Sequence, residues 1–490
     1  MSGTFLHQLY AELNGDLAET FGADAVDELR NHYLRYGVNE VRGASVGEHF
    51  NLEGMLISDG GFVLLIGWAD LRVLKSLNFT VDMGFLSYEI TDPSIAWYHR
   101  PDVADAVGDA ENPCGFVALF QIDQAVIHPR VTIKVNGHVV RQESTVRFLS
   151  VQKFLNTALA TCGVLADMPV GHSLKSACLL FPVFEQLWYD YLDSLAFAHA
   201  LQRRQHDHVE RSIIITVYKR ADMLMRQLEE LAPYLVSSKT EVIVVGNELI
   251  GSQATLSAIN AFCQIHPIDI SVYLCSGNSG FSVANNYGAE QARGDVLVFM
   301  NPDVFPPEES FEQAVAFLES DPGQALHGAM LYYGDGMLMH SGMYATYDWV
   351  ASRSSEDVAR VLRVEHFGKG LSHWVDDDEM DWVFEHVDEN RAMVSAALWK
   401  VRKSVFDAAG GLPIDYLFAY YEDADFCLRF LESGGEIVID KSSRWLHLEG
   451  VGKAKPPAVR TFMWLNRARF TDRFGDSELL VDPEGDQTIL

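Results

Sequence analysis

The spacing of apolar residues changes repeatedly along the chain, and each change predicts a different kind of element. In residues 1 to 44 apolar side chains recur at helical intervals, as Leu6, Leu9, Tyr10 and Leu13 and again as Val26, Leu29, Tyr33 and Leu34, which predicts a small helical cap. Residues 45 to 150 switch to short apolar runs divided by turn residues: MLISDGGFVLLIGWADL, CGFVALFQI, VTIKVNGHVV and TVRFLSV. This is the pattern of an antiparallel β-domain, with hairpin turns expected at Asp59-Gly60-Gly61 and Asn136-Gly137. Helical spacing returns from 151, and the polar stretch QRRQHDHVE closes a helical linker over 151 to 210. His206 and His208 in that stretch have no further ligand nearby in sequence and read as exposed linker residues.

Beyond this boundary the β-branched runs SIIITV (212–217), EVIVVG (241–246), ISVYLC (270–275) and DVLVFM (295–300) read as buried parallel strands. Between them lie the helical stretches DMLMRQLEELAPYL and ATLSAINAFCQ, so strand and helix alternate as in a doubly wound α/β sheet. Ligands of such sheets bind beyond the C-terminal ends of the strands. That rule directs attention to Tyr218-Lys219-Arg220, Gly246-Asn247-Glu248, Ser276 to Ser282 and Asn301-Pro302-Asp303.

Composition narrows the function without naming it. A chain of 490 residues with 48% hydrophobic and 21% charged residues is that of a multidomain globular protein. Its 37 basic and 68 acidic residues leave a net charge of −31, which repels nucleic acid and anionic membrane surfaces. A local basic pocket for a nucleoside diphosphate remains compatible with that charge, and a divalent cation would help to neutralise both sides. The six cysteines are scattered without paired spacing, so reduced, buried thiols are expected. The N-terminal sequence lacks the pattern of a signal peptide and no apolar run is long enough to span a bilayer. These features suggest a cytoplasmic protein, compatible with peripheral attachment at the inner membrane and with a homo-oligomer.

Three places carry candidate chemistry. Asp303 follows an apolar strand behind the stiffening Pro302, where it could bind a metal or cap the helix of PPEESFEQAVAFLES. In YYEDADF (420–426) three carboxylates open a helix that runs to Gly434-Gly435. Asp425 stands four residues before Arg429 and reads as its ion-pair partner, which leaves Glu422 and Asp423 as catalytic candidates, Asp423 as a general base. The third is His447 in RWLHLEG, a possible ligand of an oxygen-rich metal site.

The order of these segments resembles the inverting glycosyltransferases of family 2, with the GT-A fold. The residues that carry the resemblance are RSIIITVYKR, then NSGFSVANNYGAEQARGDVLVFMNPDV, then SAALWKVRKSVFDAAGGLPIDYLFAYYEDADFCLRFLESGGEIVIDKSSRWLHLEG, and it extends to RTFMWLNRARFTDRFG with Asn466, Arg467 and Phe470. It implies a GT-A domain over 211–453, preceded by the β-domain and helical segments and followed by a C-terminal helical segment over 454–490. It also implies that Asp303 and His447 hold Mg or Mn on the donor's diphosphate, that Asp423 deprotonates the acceptor, and that Val217, Tyr218, Arg220, Asn247, Asn278, Gly280, Asn285 and Asn301 surround the nucleotide. The implied donor is a dTDP- or UDP-sugar, and the implied acceptor is a glycan or lipid-linked glycan of bacterial surface-polysaccharide synthesis.

The chain departs from that family in places. Gly246 stands where an Asp commonly holds the nucleobase, so Asn247 or Glu248 is the expected substitute. Asn301-Pro302-Asp303 lacks the first acid of a full DxD, as in rhamnosyltransferase-like relatives, while Thr216 and Lys219 replace the usual Pro and Asn. The β-domain and the Gly-Leu-Pro segment are similar to those of galactofuranosyltransferases, and the acidic loop 374–390 offers Trp374 and Trp382 for stacking on sugar rings. The departures motivate one alternative, a catalytically degenerate GT-A domain serving as a glycan-binding or scaffold protein. A nucleotidyltransferase is disfavoured because neither GxxxxGK[ST] nor GxGxxG occurs.

Overall fold

A computed structural model describes residues 15–21, 25–32, 49–70, 72, 74, 76–84, 86–90, 94–107, 114–122, 130–143, 146–248, 252–351, 358–370, 393–448 and 455–477. The acidic loop with Trp374 and Trp382 lies outside these residues, as does most of the expected N-terminal cap, of which the helices Gly15–Phe21 and Val26–His32 are described. The chain divides into two compact units, residues 1–191 with 455–465 and residues 192–454 with 466–490.

The first unit contains two four-stranded antiparallel sheets. One runs in the order Phe50–Ile57, Phe62–Ala69, Gly115–Gln121, Ser94–Tyr98, and the other Leu86–Ile90, Phe79–Met83, Val131–Val135, His138–Glu143. Alternation decides which faces meet: Phe79, Val81 and Met83 are buried while Thr80 and Asp82 between them are not. Their buried faces share one core with Phe50, Val63, Leu65, Phe116 and Phe120. At Asn136-Gly137 both residues take positive φ, 49° and 81°, the pair of left-handed conformations that a tight two-residue hairpin requires. Helices Val151–Thr161 and Val170–Asp193 follow, and residue Thr461 returns to donate its hydroxyl to the Leu159 carbonyl at 2.8 Å.

The second unit is built on a mixed sheet. Its central strands Val296–Met300, Arg211–Val217, Thr240–Gly246 and Asp269–Cys275 are parallel neighbours in that order and rich in buried β-branched residues. Val217 pairs with Gly246 and Gly246 with Leu274, so the loops that follow these strands leave from one edge of the sheet. Helices Ala221–Ser237, Ser252–Ile265 and Phe311–Glu319 share a core on one face, and Gly280–Gln291 and Glu422–Glu432 contribute to a core on the other. Antiparallel Leu398–Arg402 extends the sheet beyond Val296–Met300, followed by Leu326–Tyr332, Ile437–His447 and the short Val304–Phe305.

At the opposite edge, Phe197–Arg203 pairs antiparallel with Asp269–Cys275. This corrects the expectation of helix throughout 151–210: the exposed edge position lets polar residues such as His199 and Gln202 occupy a strand without an apolar alternation to announce it. His206 is likewise not a free linker residue, because its Nδ1 lies 2.8 Å from Asp269, whose other oxygen is paired with Arg293. The cysteines are free thiols, but Cys178 is exposed and Cys263 half-buried, so burial is not general. Among the described residues no helix is long and apolar enough to cross a membrane.

Candidate active site

Asp303 sits in the turn between Val296–Met300 and Val304–Phe305, and the register of the next pairing sets its neighbour. Val304 pairs with His447, and the Leu448 amide donates to the Asp303 carbonyl at 2.9 Å. The side chains therefore meet, with His447 Nε2 3.3 Å from Asp303 Oδ1. Burial pushes the Asp303 carboxyl up, but the His447 hydrogen bond and charge, with help from Arg220, outweigh it and hold it below the usual range. The capping role is not realised: Ser310 begins the helix Phe311–Glu319 without a side-chain cap. His447 is buried, and among the described residues its Nδ1 has no hydrogen-bond partner.

A residue that gave no sequence signal of its own fixes this turn. Gln227, fully buried in an otherwise apolar helix face, donates from Nε2 to the carbonyls of Asn301 at 2.7 Å and Val304 at 2.6 Å. The turn is also tied to the chain entering Leu398–Arg402, since the Asn301 amide donates to the Ala397 carbonyl at 2.8 Å.

That same entering segment holds Asp423. The Ala396 amide donates to Asp423 Oδ2 at 3.3 Å and the Ala424 amide to Oδ1 at 2.9 Å, with Ser395 as a further side-chain partner. Burial raises the Asp423 carboxyl above its usual value, and these donors lessen the shift without cancelling it. Its position in the first turn of a helix adds the favourable end of the macrodipole. Glu422 differs: it is buried, its Oε2 has no partner among the described residues, and burial followed by the charge of Asp423 drives its carboxyl well above the usual range. Of the two acids, Glu422 is the one whose protonated form its surroundings favour more strongly. Asp425, fully buried, binds Arg429 at 2.7 Å, Tyr416 at 2.9 Å and Arg473 at 2.5 Å, so the expected partnership with Arg429 is part of a wider network.

The helix reaches this position through an unusual approach. Phe418, Tyr420 and Tyr421 all adopt positive φ, at 58°, 81° and 76°. Non-glycine residues in that region are strained and persist only where surroundings enforce them. Here Asn466 does so: its Oδ1 accepts from the Leu417 amide at 2.8 Å, and its Nδ2 donates to the carbonyls of Leu417, Ala419 and Tyr420 at 3.0, 2.8 and 3.2 Å. Phe470, one helical turn on, packs against Tyr421 with ring centroids 5.2 Å apart.

The loops at the strand ends divide into two kinds. Asn247 is nearly fully buried, donating to Asn278 Oδ1 at 2.9 Å and the Gly280 carbonyl at 3.0 Å and accepting from the Ser279 amide at 2.6 Å. Asn278 caps the Gly280 amide at 3.1 Å, Asn285 donates to the Phe281 carbonyl at 2.9 Å, and Val217 points into the core. Gly280 has φ 78°, and a Cβ there would lie 2.8 Å from the Phe418 carbonyl oxygen. These residues shape the loop at the strand ends, where short amides satisfy tight backbone turns. Tyr218, 41% exposed, and Arg220, paired with Asp222 at 3.0 Å, remain at the open edge, with Asn301 half-buried beside Asp303.

Residues 212–350, which lie in the second unit and include the parallel strands of its mixed sheet, match the family described as Glycosyl transferase family 2. Among curated proteins it is 26% identical over 227 residues to the uncharacterised protein y4gI of Sinorhizobium fredii, covering 46% of this chain and 23% of that one. It is 21% identical over 278 residues to the O-antigen biosynthesis protein RfbC of Myxococcus xanthus, covering 56% of this chain and 20% of that one. The chain thus spans about a quarter or less of the length of these relatives. Among solved structures, the mannosyltransferase PcManGT of Pyrobaculum calidifontis, with GDP-Man and Mn²⁺, is 15% identical with a TM-score of 0.34, covering 66% of this chain and 84% of that one. S. aureus TarS with UDP-GlcNAc is 13% identical with a TM-score of 0.34, covering 51% and 61%. These scores are too low to bear on the site.

Two outcomes follow from this geometry. The folded protein binds a proton at Glu422 that the unfolded chain releases above its ordinary value of 4.5, so this group makes stability fall as pH rises beyond that point. Glu422→Gln should therefore raise the thermal midpoint at pH 7–8, with the gain vanishing toward pH 4; a midpoint lowered equally at all pH values would contradict the protonated state. Replacing Asn466 leaves buried backbone groups unpaired at about 1–3 kcal/mol. In denaturant titrations Asn466→Asp, which keeps an acceptor but loses the donors, should be no more stable than Asn466→Ala.

Proposed function

We propose that this domain transfers a sugar from a nucleoside diphosphate donor to a glycan hydroxyl, with inversion at the anomeric carbon. The observation that supports it most is the convergence of Asp303, His447 and Asp423 through one segment: Ala397 holds the turn of Asp303, while Ser395 and Ala396 hold Asp423. Asp423, whose raised carboxyl makes it a stronger base and whose backbone donors favour its ionised form against burial, takes the proton of the acceptor hydroxyl as that oxygen attacks, a contribution of about 10²–10⁴ in rate. A single in-line displacement by an acceptor on the face opposite the leaving group accounts for the inversion.

Asp303 and His447 offer one oxygen and one nitrogen ligand to Mg or Mn. Among the described residues no third His, Cys, Asp or Glu joins them, so diphosphate oxygens and water would complete the coordination. An imidazole ligand favours Mn over the oxygen-seeking Mg. When bound, such an ion supplies charge stabilisation to the departing diphosphate. Arg220 and Tyr218 at the open edge bind the nucleotide, with Asn301 beside them. The acceptor belongs to bacterial surface-polysaccharide synthesis, a reading supported by the O-antigen relative. The donor is a dTDP- or UDP-sugar.

Release of nucleoside diphosphate from a panel of UDP- and dTDP-sugars with Mn²⁺ tests the base. Asp423→Asn should lose about 10²–10⁴ in kcat; unchanged turnover would remove Asp423 from the chemistry, and no turnover by the wild type with any donor would favour the scaffold reading. Separately, Mn²⁺ titration by electron paramagnetic resonance in the presence of UDP should show weaker binding to Asp303→Ala. Equal affinities would rule Asp303 out as a ligand.

A further inference from the structure

The left-handed turn leading into Glu422–Glu432 holds aromatic side chains where small ones would fit more cheaply. Phe418, Tyr420 and Tyr421 have φ of 58°, 81° and 76°, a region that Gly or Asn enters at less cost than a bulky residue. What an aromatic residue gains there has to come from its ring. For Tyr421 the gain is packing, since its ring lies 5.2 Å from that of Phe470 and joins the core around Trp399 and Phe426. Tyr420 instead reaches the surface, with 37% of the residue exposed.

Its neighbours along the chain place it on the ligand side of the sheet. Two residues earlier, the Phe418 carbonyl accepts from the Phe281 amide at 2.5 Å, and a Cβ on Gly280 would lie 2.8 Å from the same oxygen. The segment thus rests against the loop that follows the strand Asp269–Cys275. Three residues later comes Asp423, held by Ser395 and Ala396. Three residues of chain span at most about 11 Å, so Tyr420 stays beside the base whatever the exact course of the turn. On the inner side, Asn466 Nδ2 takes the carbonyls of Leu417, Ala419 and Tyr420. With that carbonyl turned inward, the exposed surface of Tyr420 belongs to its side chain.

An exposed tyrosine ring offers an apolar face with a hydroxyl at its rim, and few torsions are frozen when it binds. A sugar ring is the complement of this surface, with C–H groups across one face and hydroxyls around the edge. A diphosphate would select cations instead, such as Arg220. We propose that Tyr420 is the platform on which the acceptor sugar stacks while Asp423 takes its proton, and that the turn gripped by Asn466 holds the ring in place for it. The acceptor is the sugar concerned because Asp423 acts on the acceptor hydroxyl. The inference rests on the glycosyl-transfer reading for the identity of its ligand.

Ring-¹³C labelling of tyrosine in the full chain reads this contact directly. The Tyr420 resonance is identified by its loss in Tyr420→Asn, a substitution that keeps the left-handed backbone and removes the ring. Titration with methyl rhamnoside, methyl galactoside and methyl glucoside, in the presence of UDP and Mn²⁺, should shift that resonance saturably with at least one of them. Affinity for that glycoside should fall about tenfold in Tyr420→Asn and stay close to wild type in Tyr420→Phe, with UDP affinity unchanged in both. No saturable shift with any of the three, or equal glycoside affinity in Tyr420→Asn, would overturn the platform. So would a joint loss of UDP affinity and thermal midpoint in Tyr420→Asn, which is what a ring serving only the fold would give. Failure of the glycosyl-transfer reading has a different signature: a saturable shift at Tyr420 in a protein that transfers no sugar from any donor leaves the sugar platform standing without its reaction.

Discussion

A carboxylate removed from water must be compensated where it sits, and the second unit is arranged around that requirement. Asp423 receives backbone donors from two separate stretches, Ala396 before a sheet strand and Ala424 in its own helix. Glu422, one residue earlier, is reached by fewer donors, and burial with the charge of Asp423 drives its carboxyl well above the usual range. The two adjacent acids, both raised by burial, thus differ in how many donors oppose it.

The donors are useful only if the helix start is held still, and side-chain amides do much of that holding. Gln227 clasps the turn of Asp303, Asn247 closes the loop before Gly280–Gln291, and Asn466 grips the left-handed approach to Glu422. An amide suits this work because it offers both donors and an acceptor without adding charge near acids. The charged residues are kept behind the helix, where Asp415 and Asp425 face Arg429, Arg469 and Arg473.

The parallel core was legible because buried strands need runs such as SIIITV and EVIVVG, and the structure places strands at 211–217 and 240–246. The hairpin at Asn136-Gly137 was legible for a similar reason, since few residues other than Asn and Gly accept its backbone. The edge strand Phe197–Arg203 was not, because an edge needs no apolar alternation. Nor could sequence show the bonds that Asn247, Asn278 and Asn285 make to the backbone of their own loop, because they depend on how that loop folds. Gln227 depends on contacts with residues 74 and 77 positions away, which no local pattern records.

The grip of Asn466 bears on how such a domain can be inherited. The matched family region ends at 350, and the last sheet strand ends at His447, yet the backbone leading to Glu422 is fixed from a helix further along the chain. A recombination event that cut after the sheet would deliver Asp303, Glu422 and Asp423 but not the amide that fixes the approach to the last two. The unit that can move between genes intact is therefore longer than the fold's sheet, and must carry at least the helix through Phe470.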